Sequence, residues 1–439
     1  MSDLPNGWTR AAIGEIADVR LGKMLDAAKN KGTPVPYLRN VNVRWGSFDL
    51  ADILEMRMTA EELESYSIKD GDVIICEGGE PGRAAVWRSG PTELKFQKAL
   101  HRARTFNGVS PEWLAFYMRH IATNGELESR FTGTTIKHLP LATMREMPMP
   151  LPPIPEQRRI VTKIDSLSAK SRRARHHLDH IARLVEKYKQ AILNAGFSQA
   201  GGHGDYVPLA GAIASTFYGP RFAKEAYGGE GVVTLRTTDF DDHGNVRLKS
   251  PPRVTVSAAE LAKWGLVEGD LLVTRTGSIG KCALYSQSIG PALPSAYLIR
   301  VRLRIERVRP RYVLLFLLSN SGQEQLGLGI TAVTQPNINA GVIERLTLPI
   351  PDLDRQDRVI HYIEKAFAWI NRLASEATSA RKLVDHLDRA VLAKAFRGEL
   401  VPQASSDEPA SVLLDRIRAE RRAAASAGGD GKRRRKATA

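Results

Sequence analysis

Several short segments carry residue types at spacings that chemistry uses. Thr276-Gly277-Ser278-Ile279-Gly280-Lys281-Cys282 resembles a loop that cradles phosphate groups with backbone N–H groups and a lysine. That pattern needs Gly where Arg275 stands and Ser or Thr where Cys282 stands, so nucleotide binding is not expected. A second Gly-rich segment, Glu77-Gly78-Gly79-Glu80-Pro81-Gly82-Arg83, is acidic and would repel phosphate. Asp72 with Glu93-Leu94-Lys95 loosely imitates a nuclease carboxylate–lysine cluster. Asp270 repeats the Gly-Asp-hydrophobic context without a Glu-x-Lys, so Asp72 is expected to shape the turn before a strand. His176 and His180 stand at i and i+4, a metal-binding spacing, with His177 beside them. No acid–His pattern accompanies them, and a surface histidine cluster is expected. The chain has no Gly-x-Ser-x-Gly elbow and no Asn-Pro-Pro-aromatic segment. The chemistry left is recognition.

The candidate contacts are basic and amide side chains at turns. They are Arg39, Asn40, Asn42, Arg83, Lys95, Gln97, Lys98, Arg102 and Arg104 in the first half, and Arg236, Thr237, Arg275, Ser278, Lys281, Arg300 and Arg302 in the second. Arg and Lys read guanine edges, Asn and Gln read adenine, and the remaining cations neutralise phosphates. With 63 basic against 48 acidic residues, a formal net charge of +15, the chain favours an acidic partner, nucleic acid first.

The elements that would position these groups are duplicated at a period close to 198 residues. Gly71-Asp72-Val73-Ile74-Ile75 recurs as Gly269-Asp270-Leu271-Leu272-Val273, and Gly79-x-x-Gly82-Arg83 as Gly277-x-x-Gly280-Lys281. Leu38-Arg39 corresponds to Leu235-Arg236, and MPLPPIPEQRRIV to LPIPDLDRQDRVI. Candidate contacts differ between the copies (Asn40 against Thr237, Glu77 against Arg275, Lys98 against Ala296) while scaffold positions agree, as two readers of different sequences would.

Each copy runs from a β-rich segment through a Pro-rich junction into a long helix. Short helices are expected from Pro111 and Pro310, where a proline N1 costs nothing. The long helices carry positions alternating by four and three, all but one apolar in the first: Ile160, Ile164, Leu167, Ser171, then Ala174 to Ile192, matched by Val359, Ile363, Ala366, Ile370 to Val391. That spacing is a coiled-coil seam. Gly196 and Gly398 are expected to end the helices. The two seams are expected to pack on each other, antiparallel; the alternative docks each helix on its own domain. The fold class expected is α+β: two β-rich domains at opposite ends of a long antiparallel two-helix coiled coil, with a pseudo-two-fold internal repeat. The boundaries expected are 1–155, 156–200 for the first helix, 201–352, 353–400 for the second helix, and 401–439 for a short amphipathic helix with a flexible basic tail.

At 439 residues the chain has room for two to four folding units. Two cysteines make neither a disulfide framework nor a four-cysteine metal site, which suits a reducing interior. The start lacks the pattern of a signal peptide, and no apolar run is long enough to span a bilayer, so a cytoplasmic protein without membrane partners is expected.

These residues resemble the specificity (S) subunits of type I restriction–modification enzymes. The likeness rests on YLRNVNV, the paired Gly-Asp-hydrophobic and Gly-x-x-Gly-basic units, KFQKALHRAR, both Pro-rich junctions, and LAKAFRGELVPQ followed by DEPASVLLDRIRAER. The resemblance implies two target recognition domains, each reading one half of a bipartite site in double-stranded DNA, held apart by the helices. It implies a non-catalytic chain that binds no cofactor itself. Its partners would be two methyltransferase (modification) subunits using S-adenosylmethionine and, through them, restriction subunits using ATP and Mg. It places Arg39, Arg236, Arg83, Lys281, Lys95, Gln97 and the loops around Lys137 and Gln335 at the DNA face, and the helices with the AFRGELVPQ end at the docking surface for modification subunits. SAYLIRVR departs from QKALHRAR at the equivalent strand of the second copy. The competing readings are a restriction enzyme retaining its own nuclease or methyltransferase, for which two readers and two helices leave no room, and a non-enzymatic coiled-coil adaptor with incidental nucleic-acid affinity.

Overall fold

A computed structural model describes residues 4–26, 28–88, 90–91, 93–133, 135, 137–201, 206–223, 226–277, 279–328 and 337–436. The chain is mixed helix and sheet, and it forms two compact units, Met1–His176 with Ala380–Ala439, and His177–Ser379. Each unit takes one β-rich segment and part of each long helix.

The first unit holds an antiparallel four-stranded sheet in the order Ala17–Leu21, Leu100–Thr105, Val73–Cys76, Ala84–Val86. The second repeats it as Ile213–Tyr218, Leu298–Leu303, Leu271–Thr274, Cys282–Leu284. Val73–Cys76 and Leu271–Thr274 are buried throughout, as a short apolar run between turn residues predicts. The turn before each is locked by its aspartate. Asp72 accepts from Lys69 N (2.7 Å) and takes a two-pronged grip from Arg104 (2.7 and 2.7 Å). Asp270 accepts from Val267 N (2.9 Å) and from Arg302 (2.8 and 2.8 Å). Asp72 is thus the turn residue expected, and a forked carboxylate–guanidinium pair is the strong form of such a bond. Arg104 and Arg302 are therefore committed to the scaffold. Arg102 and Arg300 are also held inside, Arg102 by Asp18 (2.6 Å) and Arg300 over the Phe217 ring (4.9 Å). These four, expected among the contacts, hold the sheet instead.

A second sheet in each unit ends in a parallel pair: Thr33–Leu38 beside Lys95–Phe96, and Val232–Leu235 beside Ala292–Pro294. The helices Pro111–Thr123 and Pro310–Leu317 start on proline as expected, and their aromatics tie them to the chain before the junction. Trp113 Nε1 donates to Pro150 O and Tyr312 OH to Pro349 O, both at 2.9 Å.

The junction glutamines fix the long helices, Ile154–Gly201 and Leu353–Phe396, to their own units. Gln157 accepts from Ser110 N and donates to Gly108 O and Pro152 O; Gln356 accepts from Arg309 N and donates to Arg307 O and Pro351 O. In the first unit Ile160 and Ile164 share a core with Trp113, Leu392, Ala395 and Phe396, and Arg175 pairs with Asp385 and Asp388. In the second, Leu193 and Phe197 share a core with Val359, Ile363 and Tyr312. Within each unit the two helix segments therefore run antiparallel. They also dock on the domain, each segment sharing the core of its own unit.

Two details differ from expectation. Gly196 does not end its helix, which runs on to Gly201. A Cβ there would meet Ile363 Cδ1 at 2.9 Å, so the glycine serves close helix approach. At the seam position Tyr188 the side chain is exposed and its neighbour Lys189 is buried instead. A straight helix turns every 3.6 residues, so a strict 3.5 pattern drifts off the contact line. Gly398, at φ +73°, does follow the end of the second helix.

The last helix, Ala410–Lys436, buries Ala410, Leu413, Leu414 and Ile417 in the first unit's core. Arg418 pairs with Glu15, which holds the Glu15 carboxyl below its usual pKa. Phe396, Leu400 and Val401 pack on the same core. Those apolar side chains of the AFRGELVPQ stretch are spent inside the chain.

Candidate nucleic-acid interface

The parallel strands Thr33–Leu38 and Lys95–Phe96 end at one edge, and Arg39 and Gln97 are the next residues. Gln97 N donates to Leu38 O (3.2 Å), and the second unit repeats this from Ser295 N to Leu235 O (3.0 Å). The chain crosses this corner at Gly22 and Gly219. A Cβ on either would lie 2.1 Å from Gln97 O or 2.0 Å from Ser295 O, so glycine is obligatory at both.

The Gly-rich turn closes on the same edge. Glu77 N donates to Ala99 O (2.8 Å), Asn40 Nδ2 to Gly78 O (3.3 Å), and Arg83 Nη2 to Asn40 O (2.8 Å). His138 bridges to Gly78 and its Nδ1 bonds Glu77 Oε2 (3.0 Å), which brings in the neighbouring Lys137, its ammonium over Phe131. Arg39, Asn40, Arg83, Gln97, Lys98 and Lys137 thus lie along one edge. In the second unit Arg236, Thr237, Arg275 and Lys281 form the matching edge, with Arg275 N donating to Tyr297 O and Ile338 N to Arg275 O, both at 3.0 Å. Ser278 and Gln335, also expected here, lie outside the described residues.

Two expected contacts are elsewhere or differently placed. Asn42 is buried and its amide is used up: Oδ1 accepts from Arg39 N (2.8 Å), and Nδ2 donates to Asp49 O (3.0 Å) and Asp52 O (2.9 Å). It shapes the turn, and Asp239 does the same for Arg236 N (2.8 Å). Lys95 is 9% exposed, and among the described residues no partner meets its ammonium. Burial pushes its pKa down.

Carboxylates that the charge count hides temper this edge. Arg39 pairs with Asp52, Arg83 with Glu80, Arg236 with Asp239 and Lys281 with Asp242. The acid for the Leu-Arg turn has changed places between copies. In both, the arginine Nη2 donates to a main-chain carbonyl, Asp52 O (3.1 Å) or Ser250 O (3.3 Å). The first turn carries Asn42 and Asp52; the second carries Asp239 and Ser250. Sequence alignment of the copies contains this exchange, but its meaning appears when both positions are seen against one guanidinium. Tyr218, whose ring lies 4.9 Å from the Arg275 guanidinium carbon, was also unforeseen.

The two thiols are buried, Cys76 pushed up to about 11 and Cys282 to about 12, which makes them poor nucleophiles at neutral pH. Among the described residues no cluster of His, Cys, Asp and Glu is placed to hold a metal, and no helix is long and apolar enough to cross a membrane.

Comparison with known proteins agrees with this geometry. The family model described as type I restriction modification DNA specificity domain matches residues 5–181 and 237–378. The type I restriction enzyme StySPI specificity subunit of Salmonella potsdam is 25% identical over 95% of this chain and 96% of its own. The EcoKI specificity subunit of Escherichia coli K12 is 26% identical over 96% and 97%. The fold matches a solved chain from a study of type I R-M complex assembly (TM-score 0.74, 21% identity, 91% of this chain and 100% of that one). It also matches the HsdS subunit of Thermoanaerobacter tengcongensis (TM-score 0.60, 21% identity, 91% and 99%). With two matched segments spanning most of its length, one in each copy of the repeat, the chain belongs to the type I restriction–modification DNA specificity family.

Proposed function

We propose that this chain gives a type I restriction–modification complex its DNA sequence specificity by reading a two-part duplex site, one half with each β-rich unit. The observation that carries this reading is the repeated edge: the same crossing strands, Leu-Arg turn and Gly-x-x-Gly-basic turn occur in both units, with different side chains on them. Direct readout needs that combination, since backbone geometry presents the groups and their chemistry selects the bases.

In this reading the two domains lie at opposite ends of an antiparallel pair formed by the long helices, which sets the gap between half-sites. Each helix is continuous and runs antiparallel to its mate in both units, which supports a stiff spacer. The exposed helix faces and the AFRGELVPQ end would hold two modification subunits. S-adenosylmethionine, ATP and Mg would be used by partner subunits, and the chain itself would be non-catalytic and act in the cytoplasm. An adaptor with incidental charge would have no reason to keep two matched edges.

The test is to co-express the chain with modification subunits and map methylated adenines across a genome. A motif of two short blocks with a fixed gap is expected. Unmethylated DNA, or one uninterrupted motif, refutes it. Inserting four residues in each long helix should change the accepted gap, and an unchanged gap would remove the helices from the spacing role.

A further inference from the structure

We infer that Arg275 reads a guanine in the half-site of the second unit, with Tyr218 and Asn337 as its positioning residues. This rests on the DNA-reading function proposed above and names the base that one side chain selects. Among the candidate guanidinium groups the partners decide. Arg39 gives Nη2 to Asp52, Arg83 gives both Nη groups to Glu80 and Asn40 O, and Arg236 gives Nε and Nη2 to Asp239. Arg275 gives Nε to Asn337 Oδ1 (3.4 Å), while neither of its Nη groups meets a partner among the described residues.

Its position is fixed nevertheless. The backbone is pinned on both sides, N to Tyr297 O and O to Ile338 N. The guanidinium carbon lies 4.9 Å from the centroid of the Tyr218 ring, within the range of a cation–π contact. That ring is held in turn, because Tyr218 OH accepts from Ala340 N (2.9 Å) at the start of the helix Ala340–Arg345. A planar group with two free N–H faces, restrained on a ring at a DNA-facing turn, suits the bidentate bond to guanine O6 and N7.

The first unit puts opposite chemistry at the equivalent point. Glu77 makes the same two backbone bonds, to Ala99 O and from Leu139 N, and carries a carboxylate bonded to His138. An acceptor there cannot read guanine as an arginine does. The two units thus differ in donor and acceptor character at one matched position.

The experiment selects binding sites from a pool of fully randomised duplexes, using the full chain assembled with its modification subunits. The wild type should return a two-part motif with an invariant guanine in one half. Arg275→Lys keeps the charge and loses the fork, and should relax that guanine about ten-fold or more while leaving the other half unchanged. Tyr218→Leu should relax the same base, and Tyr218→Phe, which keeps the ring but loses the bond from Ala340 N, should relax it less. The same motif from Arg275→Lys, or a uniform loss over all sequences, overturns the assignment while the two-part reading stands. A wild type that returns no two-part motif sinks that reading and the assignment together.

Discussion

Replacing Gln356 with Ala tests whether the junction glutamine is the bolt between helix and domain. Its side chain is fully buried and makes three hydrogen bonds: one from Arg309 N (2.8 Å), one to Arg307 O (3.1 Å) and one to Pro351 O (2.8 Å). A buried hydrogen bond contributes about 1 kcal/mol net, and an orphaned buried partner costs at least as much, so the loss should be about 3 kcal/mol. For a unit of this size that is a fall in Tm of about 6–12 °C. Calorimetry gives the magnitude, and hydrogen exchange assigns it to the second unit, around Arg307–Arg309. Gln356→Glu keeps the shape and the acceptor but removes both donors, separating hydrogen bonding from packing. A loss below about 1 kcal/mol, or one spread equally over both units, would refute the reasoning.

Three more outcomes follow from buried and crowded groups. Glu156 accepts from Trp8 Nε1 (3.0 Å), and burial raises its pKa. The unfolded chain therefore loses this proton first as pH rises, and Glu156→Gln should gain stability over wild type through the carboxylate range, with the gap closing below about pH 4 in acid titrations of unfolding. Lys95, its pKa lowered by burial, destabilises the free chain at neutral pH and less so as pH approaches the ordinary lysine value of about 10.4. Lys95→Met should thus unfold at higher denaturant at neutral pH, yet bind duplex more weakly, with the salt slope smaller by about 1 if the ammonium meets a phosphate. Gly219→Ala should dislodge the Ser295 carbonyl and abolish selection in one half-site; site selection that leaves both halves intact would contradict the close crossing of Gly219 on Ser295.

Much of this was legible in the sequence because the duplication doubles every signal. Asp72 and Asp270 marked matching turns, Pro111 and Pro310 started matching helices, and the apolar seams announced two long helices. What stayed hidden depended on three-dimensional company. Asn42 is an amide at a turn, which suits base reading equally well, until its neighbours claim every polar atom. Arg102 and Arg300 count as positive charge in any tally, but strand alternation turns them inward. Tyr218 has no motif around it, and its role needs Arg275 and Ala340 N brought to either side of the ring. Gly196 reads as a helix stop unless Ile363 is known to press against it.

The exchange of Asn42 and Asp52 for Asp239 and Ser250 bears on how such modules are recombined. A graft whose cut falls between these two positions inherits Asn from one parent and Ser from the other, stranding the arginine without an anion. The reciprocal hybrid crowds two carboxylates around one guanidinium. The Leu-Arg loop is therefore an indivisible cassette, and viable chimaeras will be those whose crossovers fall outside it.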